Sequence, residues 1–428
     1  MITRRELLQS AAPMAGVLGL PALSAGIQAT TTVYQRPKLK ITDVRTAMVM
    51  VHGPQAHIRI YTDQGLIGQG ESTDAAIGTP ALVRSFAEGF DGWIQGLIGM
   101  DPLNVDAIFT YLRNNVFGGT QAGQYMTAVS GVEIALWDLV GKALGKPVYQ
   151  LLGGKFRDQV RIYLDTSMRD NLGPECDKKT AYAKDNGFSI AKIDIDDARD
   201  PNRFDQYNRT ANNAEMDRML REVQHVREKL DPKIELAVDM HAFYDAPTAK
   251  RVAKELEPLK LLWLEEVVPA ENVDAMADVR RSTNTPIATG ENIYMRWGFR
   301  KLLEKQAVDI LQPDIQKTGG LAEAKKIANM ADAYYVPLAP HCVVSPVGMM
   351  GSVHACAAFP NFLCLEWHWV NQSNLWNNWV KEGNIIQNGF VTVPDKPGLG
   401  VEMDDETAKK AQLPGTSWFL PHAAESWS

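Results

Sequence analysis

The order of apolar and polar positions divides the chain into three textures. Residues 41–72 alternate with a period of two, and "AHIRIYTDQGLIGQGES" sets two strand-like runs around Asp63-Gln64-Gly65, a hairpin signal. From about 77 to 150 the period lengthens. "TAVSGVEIALWDLVGKALGKPVYQLLGG" carries apolar residues at helical spacing and stops at a Gly-Gly pair. Together these predict a small α+β unit over 38–155. From 156 to 370, short apolar runs alternate with longer amphipathic segments. The runs are "VRIYLD" (160–165), "IAKIDID" (190–196), "IELAVDMH" (234–241), "LLWLEEVV" (261–268), "PIATGEN" (286–292), "VDILQPDI" (308–315), "YVPLAPHC" (335–342) and "FLCLEWHW" (362–369). Eight strands with helical crossovers predict an α/β fold, a (β/α)7β TIM-like barrel. The tail, 371–428, is rich in Gly, Pro and Trp and is expected to return to the first unit and complete it as a cap.

Length and charge narrow the function. A chain of 428 residues suits a large barrel with an added domain. A net charge of -7 without a Lys/Arg-rich run argues against nucleic acid as the partner. No uninterrupted apolar stretch after the N-terminus is long enough for a membrane span. Residues 1–29 stand apart. Arg4 and Arg5, then Leu7 and Leu8, a weakly apolar segment and small residues from Ala22 to Ala29 read as a twin-arginine-type signal peptide. A periplasmic location follows as the expectation. Cys176, Cys342, Cys356 and Cys364 form no CxxC pair, which argues against a zinc site or a disulfide framework.

Candidate chemistry lies at the strand ends. Asp239, Glu265, Glu291, Asp314, His341 and Glu366 each close a strand candidate, at intervals of 23 to 27 residues. Strand C-termini of such a barrel open onto one face, where barrel enzymes keep their chemistry. Asp239, Glu265 and Glu291 would repel one another in a partly desolvated mouth. A hard divalent cation resolves this, and an all-oxygen set suits Mg²⁺ better than zinc. Glu266 alternates to the other side of its strand and is expected to face a helix or a salt partner. Asp314 beside His341 is the pairing expected of a general base. Lys192 flanks the metal position, beside Asp194. His241, two residues after Asp239, points to the same side if the strand continues.

The motifs "VDMH", "WLEEV", "TGEN", "ILQPDIQKTGG", "LAPHC" and "LEW", with "SGVEIALWDLVGKALGKPVYQLLGG" and "KPGLGVE", resemble the enolase superfamily, mandelate racemase subgroup, most closely the galactonate dehydratases. The resemblance covers nearly everything after residue 40. It implies one Mg²⁺ on Asp239, Glu265 and Glu291, and a base dyad of Asp314 and His341. It implies that Glu366, as a protonated donor, and Lys192 contact the substrate carboxylate, and that His241 protonates the departing hydroxyl. The implied reaction is dehydration of a galactonate- or gluconate-like sugar acid to a 2-keto-3-deoxy acid. A homo-oligomer is expected.

Three departures keep alternatives open. Asp194 stands where racemases of this group carry a lysine and galactonate dehydratases tend to carry Asn. It could pair with Lys192 or Lys317, repel an acid substrate, or act as a base. "EEVVP" replaces the usual "EEP" after Glu265, and an export signal is unusual for sugar-acid catabolism. Lys317 reads equally as a substrate contact or as a salt-bridged loop lysine. Tyr244, Trp367 and His368 read equally as mouth or packing residues, and the loops at 52–57 and 73–80 carry no assignable motif. A racemase, epimerase or cycloisomerase would use the same half-reaction with Lys192 or Asp194 as second acid. A catalytically weak binding protein is the remaining alternative.

Overall fold

Asp63-Gln64-Gly65 does form a hairpin turn, with Gly65 at φ 76°. The computed structural model of the protein describes residues 35–90, 94–114, 122–168, 170–369 and 373–421. The expected export signal, 1–29, lies outside these. By its contacts the chain divides at Pro37, and the unit beginning at Lys38 carries both the cap and the barrel. Strands β1 (Ile41–Met50), β2 (Pro54–Thr62) and β3 (Ile67–Ser72) form an antiparallel meander in that order. The helix Gly123–Leu144 packs on it, sharing a core of Ile58, Ile60, Val129, Val132 and Leu136. It ends where Gly145 turns left-handed and its N–H returns to Gly141 and Lys142. Helix and sheet meet backbone to backbone. A Cβ on Gly68 would lie 2.1 Å from the Ala135 carbonyl oxygen, and one on Gly70 would lie 2.2 Å from that of Gly131.

The third texture closes into a ring. Strands β4 (Gln159–Asp165), β5 (Ile190–Asp194), β6 (Glu235–Asp239), β7 (Trp263–Glu265), β8 (Ile287–Thr289) and β9 (Ile310–Leu311) run parallel, each paired with the next. Parallel bridges Leu311–Leu338 and Leu338–Phe362 carry the ring onward, and β10 (Leu365–His368) pairs with β4. Among the described residues seven helices lie in the crossovers, the first Pro174–Asp185 and the last Pro346–Ala357. Four of the expected strands, at 261–268, 286–292, 308–315 and 335–342, are much shorter than their apolar runs. Their C-terminal residues turn into the mouth instead, Glu266 doing so with φ 42°.

The ring is filled by one residue from each of its eight segments: Tyr163, Ile190, Ala237, Trp263, Ala288, Ile310, Ala339 and Cys364. The Tyr163 and Trp263 rings meet edge to face, 5.3 Å apart, and alanines on the intervening segments make room for them. The tail touches both parts. Phe390–Thr392 pairs antiparallel with the start of β4, while Gln412 and Trp418 bridge to Val49 and Ala47 of β1. All four cysteines are buried and free, and Tyr244 and Trp367 are buried packing residues. No helix among the described residues is long and apolar enough to cross a membrane.

The glycine contact yields a stability test. Gly70→Ala must push the helix off β3 and is expected to cost about 1–3 kcal/mol or more, the usual effect of overpacking. Urea denaturation reads this as a lower midpoint at similar slope; an unchanged midpoint would mean the helix retreats freely.

Candidate active site

Side chains two apart on a strand share a side, so the layer above the ring's filling is set by the filling itself. Two residues beyond Tyr163, Ile190, Ala237, Trp263, Ala288, Ile310, Ala339 and Cys364 stand Asp165, Lys192, Asp239, Glu265, Gly290, Gln312, His341 and Glu366. The apolar floor gives way in one step to a ring of charged and polar side chains. Its exception is Gly290, where a Cβ would sit 2.7 Å from the Gln312 backbone, and the next residue, Glu291, supplies the carboxylate.

Lys192 lies at the centre of this layer. Its Nζ is 2.9 Å from Glu366 Oε1, 3.0 Å from Asp239 Oδ2, 3.0 Å from Glu265 Oε1 and 3.6 Å from Asp165 Oδ2. Burial alone would lower its pKa, but Glu265, Glu366 and their neighbours reverse this and hold it well above the usual lysine value. It donates to Asp239 and Glu265 and is ion-paired with Glu366 and Asp165, so it lies among the carboxylates of this layer. Glu366 Oε2 accepts the Cys342 N–H at 2.8 Å, while its Oε1 faces Lys192 as an ion pair without a hydrogen bond.

Asp239, Glu265 and Glu291 converge as expected, each offering an oxygen within 4.8 Å of the others. Glu265 Oε2 is steered by Trp263 Nε1 at 2.8 Å and Gln312 Nε2 at 2.7 Å. Burial first, then Asp239, pushes the Glu265 carboxyl well above its ordinary range. Three oxygen donors crowded against one another at that cost are the chemistry of a site for a hard divalent cation. Glu266 does not turn to a helix. It is buried beside Glu291 and accepts from the Asn292 amide, which also donates to Glu291.

Two imidazoles approach the triad from its two ends. His341 Nδ1 is 2.6 Å from Asp314 Oδ2, and its Nε2 is 3.2 Å from Glu291. Burial would lower His341, but Glu291, Glu366 and Asp314 hold it well above the ordinary value. His241 Nε2 is 3.7 Å from Asp239 Oδ2, and its Nδ1 is 2.7 Å from Asp196 Oδ1. His241 does not stand on a continued strand. β6 ends at Asp239, and His241 lies in a left-handed turn at φ 42° whose N–H donates to Asp239 Oδ1. Asp239, then Asp196 and Asp194, raise its pKa to about 12 against the pull of burial.

The remaining candidates divide. Asp194 pairs with neither Lys192 nor Lys317; it lies with Asp239 and His241, and burial, then Asp165, holds its carboxyl well above the usual range. Lys317 is buried and salt-bridged at 2.9 Å to Asp74, which belongs to the cap loop that carried no motif. His52, in the other cap loop, packs edge-on to His368, and His368 Nδ1 is 3.1 Å from Asp165. Asp196, Asn292, Gln312, Asp165 and Asp74 are the polar residues that sequence reasoning missed. For Asp165 and Gln312 the signal was present: both stand two residues beyond the ring's filling. A cavity of about 460 Å³ opens beside His241, lined among others by Asp194, Asp196, Arg199 and Arg218.

A closed parallel barrel, a meander cap and a carboxylate triad flanked by two imidazole–carboxylate pairs define an enzyme class that works on carboxylate substrates. Residues 28–153 match the mandelate racemase/muconate lactonizing enzyme N-terminal domain, and residues 176–407 match the enolase C-terminal domain-like family. The chain belongs to the mandelate racemase/muconate lactonizing enzyme group of the enolase superfamily, whose members use Mg²⁺. It is 40% identical over 383 residues to a D-xylonate dehydratase of Haloferax volcanii, covering 89% of this chain and 90% of that one. It is 32% identical over 391 residues to a D-galactonate dehydratase of Variovorax paradoxus, covering 90% and 97%. A solved mandelate racemase/muconate lactonizing enzyme-like protein from Rubrobacter xylanophilus superposes with a TM-score of 0.83 at 40% identity, over 90% of this chain and 100% of that one.

Removing the central cation should expose what it balances. Lys192→Met is expected to cost about 3–5 kcal/mol in metal-free buffer, the usual penalty for stripping a buried charge of its partner. Wild-type stability in chelator would show that the carboxylates balance one another by sharing protons.

Proposed function

We propose that the protein is a Mg²⁺-dependent sugar-acid dehydratase that removes the C2 proton of an aldonic acid and expels the neighbouring hydroxyl as water. The enol so formed becomes a 2-keto-3-deoxy acid. The observation that carries this is the pair of imidazoles at opposite ends of one carboxylate triad, His341 against Glu291 and His241 against Asp239. Elimination needs a base and an acid acting at adjacent carbons, and two separately anchored histidines meet that need. Both relatives above are named as sugar-acid dehydratases.

Asp239, Glu265 and Glu291 would hold the Mg²⁺, which supplies the positive charge that makes a proton beside a carboxylate removable. Asp314 accepts the Nδ1–H of His341 and orients the ring; once the Glu291 charge that holds His341 protonated is offset by bound Mg²⁺, Nε2 would be free to receive the proton from C2. Asp196 anchors Nδ1 of His241, whose Nε2 proton passes to the leaving oxygen. Lys192 keeps Asp239, Glu265 and Glu366 together while the negative charge of the reaction grows beside them. A racemase would need a second acid across the site. Lys192, one of its two candidates, is ion-paired with Asp239, Glu265 and Glu366.

Two experiments test the reading. Against a panel that includes D-xylonate, D-galactonate and D-gluconate, the enzyme with Mg²⁺ should release a 2-keto-3-deoxy acid, and chelation should abolish release. His341→Asn should lose both deuterium exchange at C2 and elimination. His241→Asn should keep exchange where proton removal is reversible, and lose keto-acid formation by about 10²–10⁴-fold, the usual worth of one general acid. NMR in D₂O follows both together. Keto acid at the wild-type rate from His241→Asn would assign the acid elsewhere.

The reading includes twin-arginine export, supported by the Arg4-Arg5 pair ahead of a weakly apolar segment. Arg4→Lys/Arg5→Lys should hold the precursor in the cytoplasm, and mature protein should begin near residue 30. An intact Met1 on protein from the native host would count against export.

A further inference from the structure

Two carboxylates of the cap are wholly buried and end on the barrel. Glu71, at the end of β3, accepts the Ser345 N–H at 2.8 Å and the Gly348 N–H at 2.9 Å, and the Ser345 hydroxyl as well. Ser345 is the N-cap of the helix Pro346–Ala357. Glu133, in the cap helix, accepts the Leu321 N–H at 2.7 Å and the Ala322 N–H at 3.0 Å. These are the first turn of the helix Gly320–Asp332, whose own N-cap, Gly319, supplies no side chain. The first N–H groups of a helix have no partner within it, and a carboxylate there satisfies them and meets the positive end of the helix dipole.

The two helices are not arbitrary members of the ring. One begins six residues after Asp314 and the other five after His341, so each follows directly the segment that carries one half of the dyad. The same cap edge holds the intervening loops. Thr73 Oγ1 and Gln55 Nε2 donate to the Val343 carbonyl, two residues from His341, and Asp74 holds Lys317, three from Asp314. The close fit is visible in the glycines. A Cβ on Gly320 would lie 2.0 Å from Glu133 Oε2, and one on Gly348 would lie 2.9 Å from Glu71 Oε2. Burial raises both carboxyls to about 7, a cost that the helix N–H groups offset in part.

We propose that Glu71 and Glu133 are positioning residues for the Asp314–His341 dyad, holding from the cap the two barrel helices whose N-termini set where Asp314 and His341 stand. The metal triad comes from β6, β7 and the end of β8, which neither carboxylate touches. The proposal rests on reading that dyad as the base, and its test separates the two.

The first readout needs no substrate. The imidazole N–H proton shared by His341 and Asp314, assigned by its loss in His341→Asn, should be sharp in wild type. It should shift or broaden in Glu71→Ala and Glu133→Ala while far-UV circular dichroism and Mg²⁺ binding stay at wild-type values. The second is steady-state kinetics with whichever sugar acid the wild type dehydrates. kcat should fall about 10- to 100-fold, in step with C2 exchange, as for a reacting group misplaced by about 1 Å, and KM should change little. Glu71→Gln should recover part of the loss, since one amide oxygen can still accept. Gly348→Ala keeps the carboxylate but displaces it, and serves where an alanine variant fails to fold; it should move the same signals. A lowered melting temperature with an unchanged imidazole proton and wild-type kcat would overturn the proposal, leaving the two residues as braces only. A wild type that dehydrates no sugar acid, with the imidazole signal responding as expected, would overturn the dehydratase reading and leave the positioning role standing.

Discussion

The Lys192 ammonium, closed off from water among Asp239, Glu265 and Glu366, is the charge on which the rest of the site depends. Carboxylates gathered on a desolvated face repel one another, and each would otherwise take up a proton to escape its charge. One cation among them, held from β5, offsets much of that repulsion. Breaking such a buried arrangement costs more than forming it gains, so it specifies geometry more than it stabilises the fold.

That arrangement is possible because the ring beneath it is filled and closed. Tyr163 and Trp263 reach across the interior, alanines yield space between them, and each segment's next inward side chain must then face the mouth. Gly290 marks the one place where the alternation is interrupted. With the Gln312 backbone crowding against it no Cβ fits, and the carboxylate is deferred by one residue to Glu291. The site is thus a consequence of strand register as much as of residue choice.

The cap has a part beyond covering the mouth. Its helix and third strand bring buried carboxylates to the first turns of two barrel helices, and its loops engage Lys317 and His368. The Asp314–His341 pair is thus held from both parts of the chain. The carboxylate triad of Asp239, Glu265 and Glu291, by contrast, is built entirely within the barrel.

Much of this was legible in the residues alone. The period-two and helical runs determined a meander cap and eight barrel segments, because burial on one face imposes those periods whatever the neighbours are. The regular spacing of Asp239, Glu265, Glu291, Asp314, His341 and Glu366 placed them at one end of a barrel, since parallel strands share a direction. The partners were not legible. Asp196 meets His241 only because the chain leaves β6 in a left-handed turn, and Glu266 faces Asn292 for a similar reason. Lys192 has the sequence position of a substrate contact, and only the folded chain shows it buried among three carboxylates. Glu71 and Glu133 have the spacing of ordinary members of a strand and a helix. A side chain's type and spacing carry its own periodicity. What it touches across tens or hundreds of residues is decided by packing, and only the folded chain brings those surfaces together.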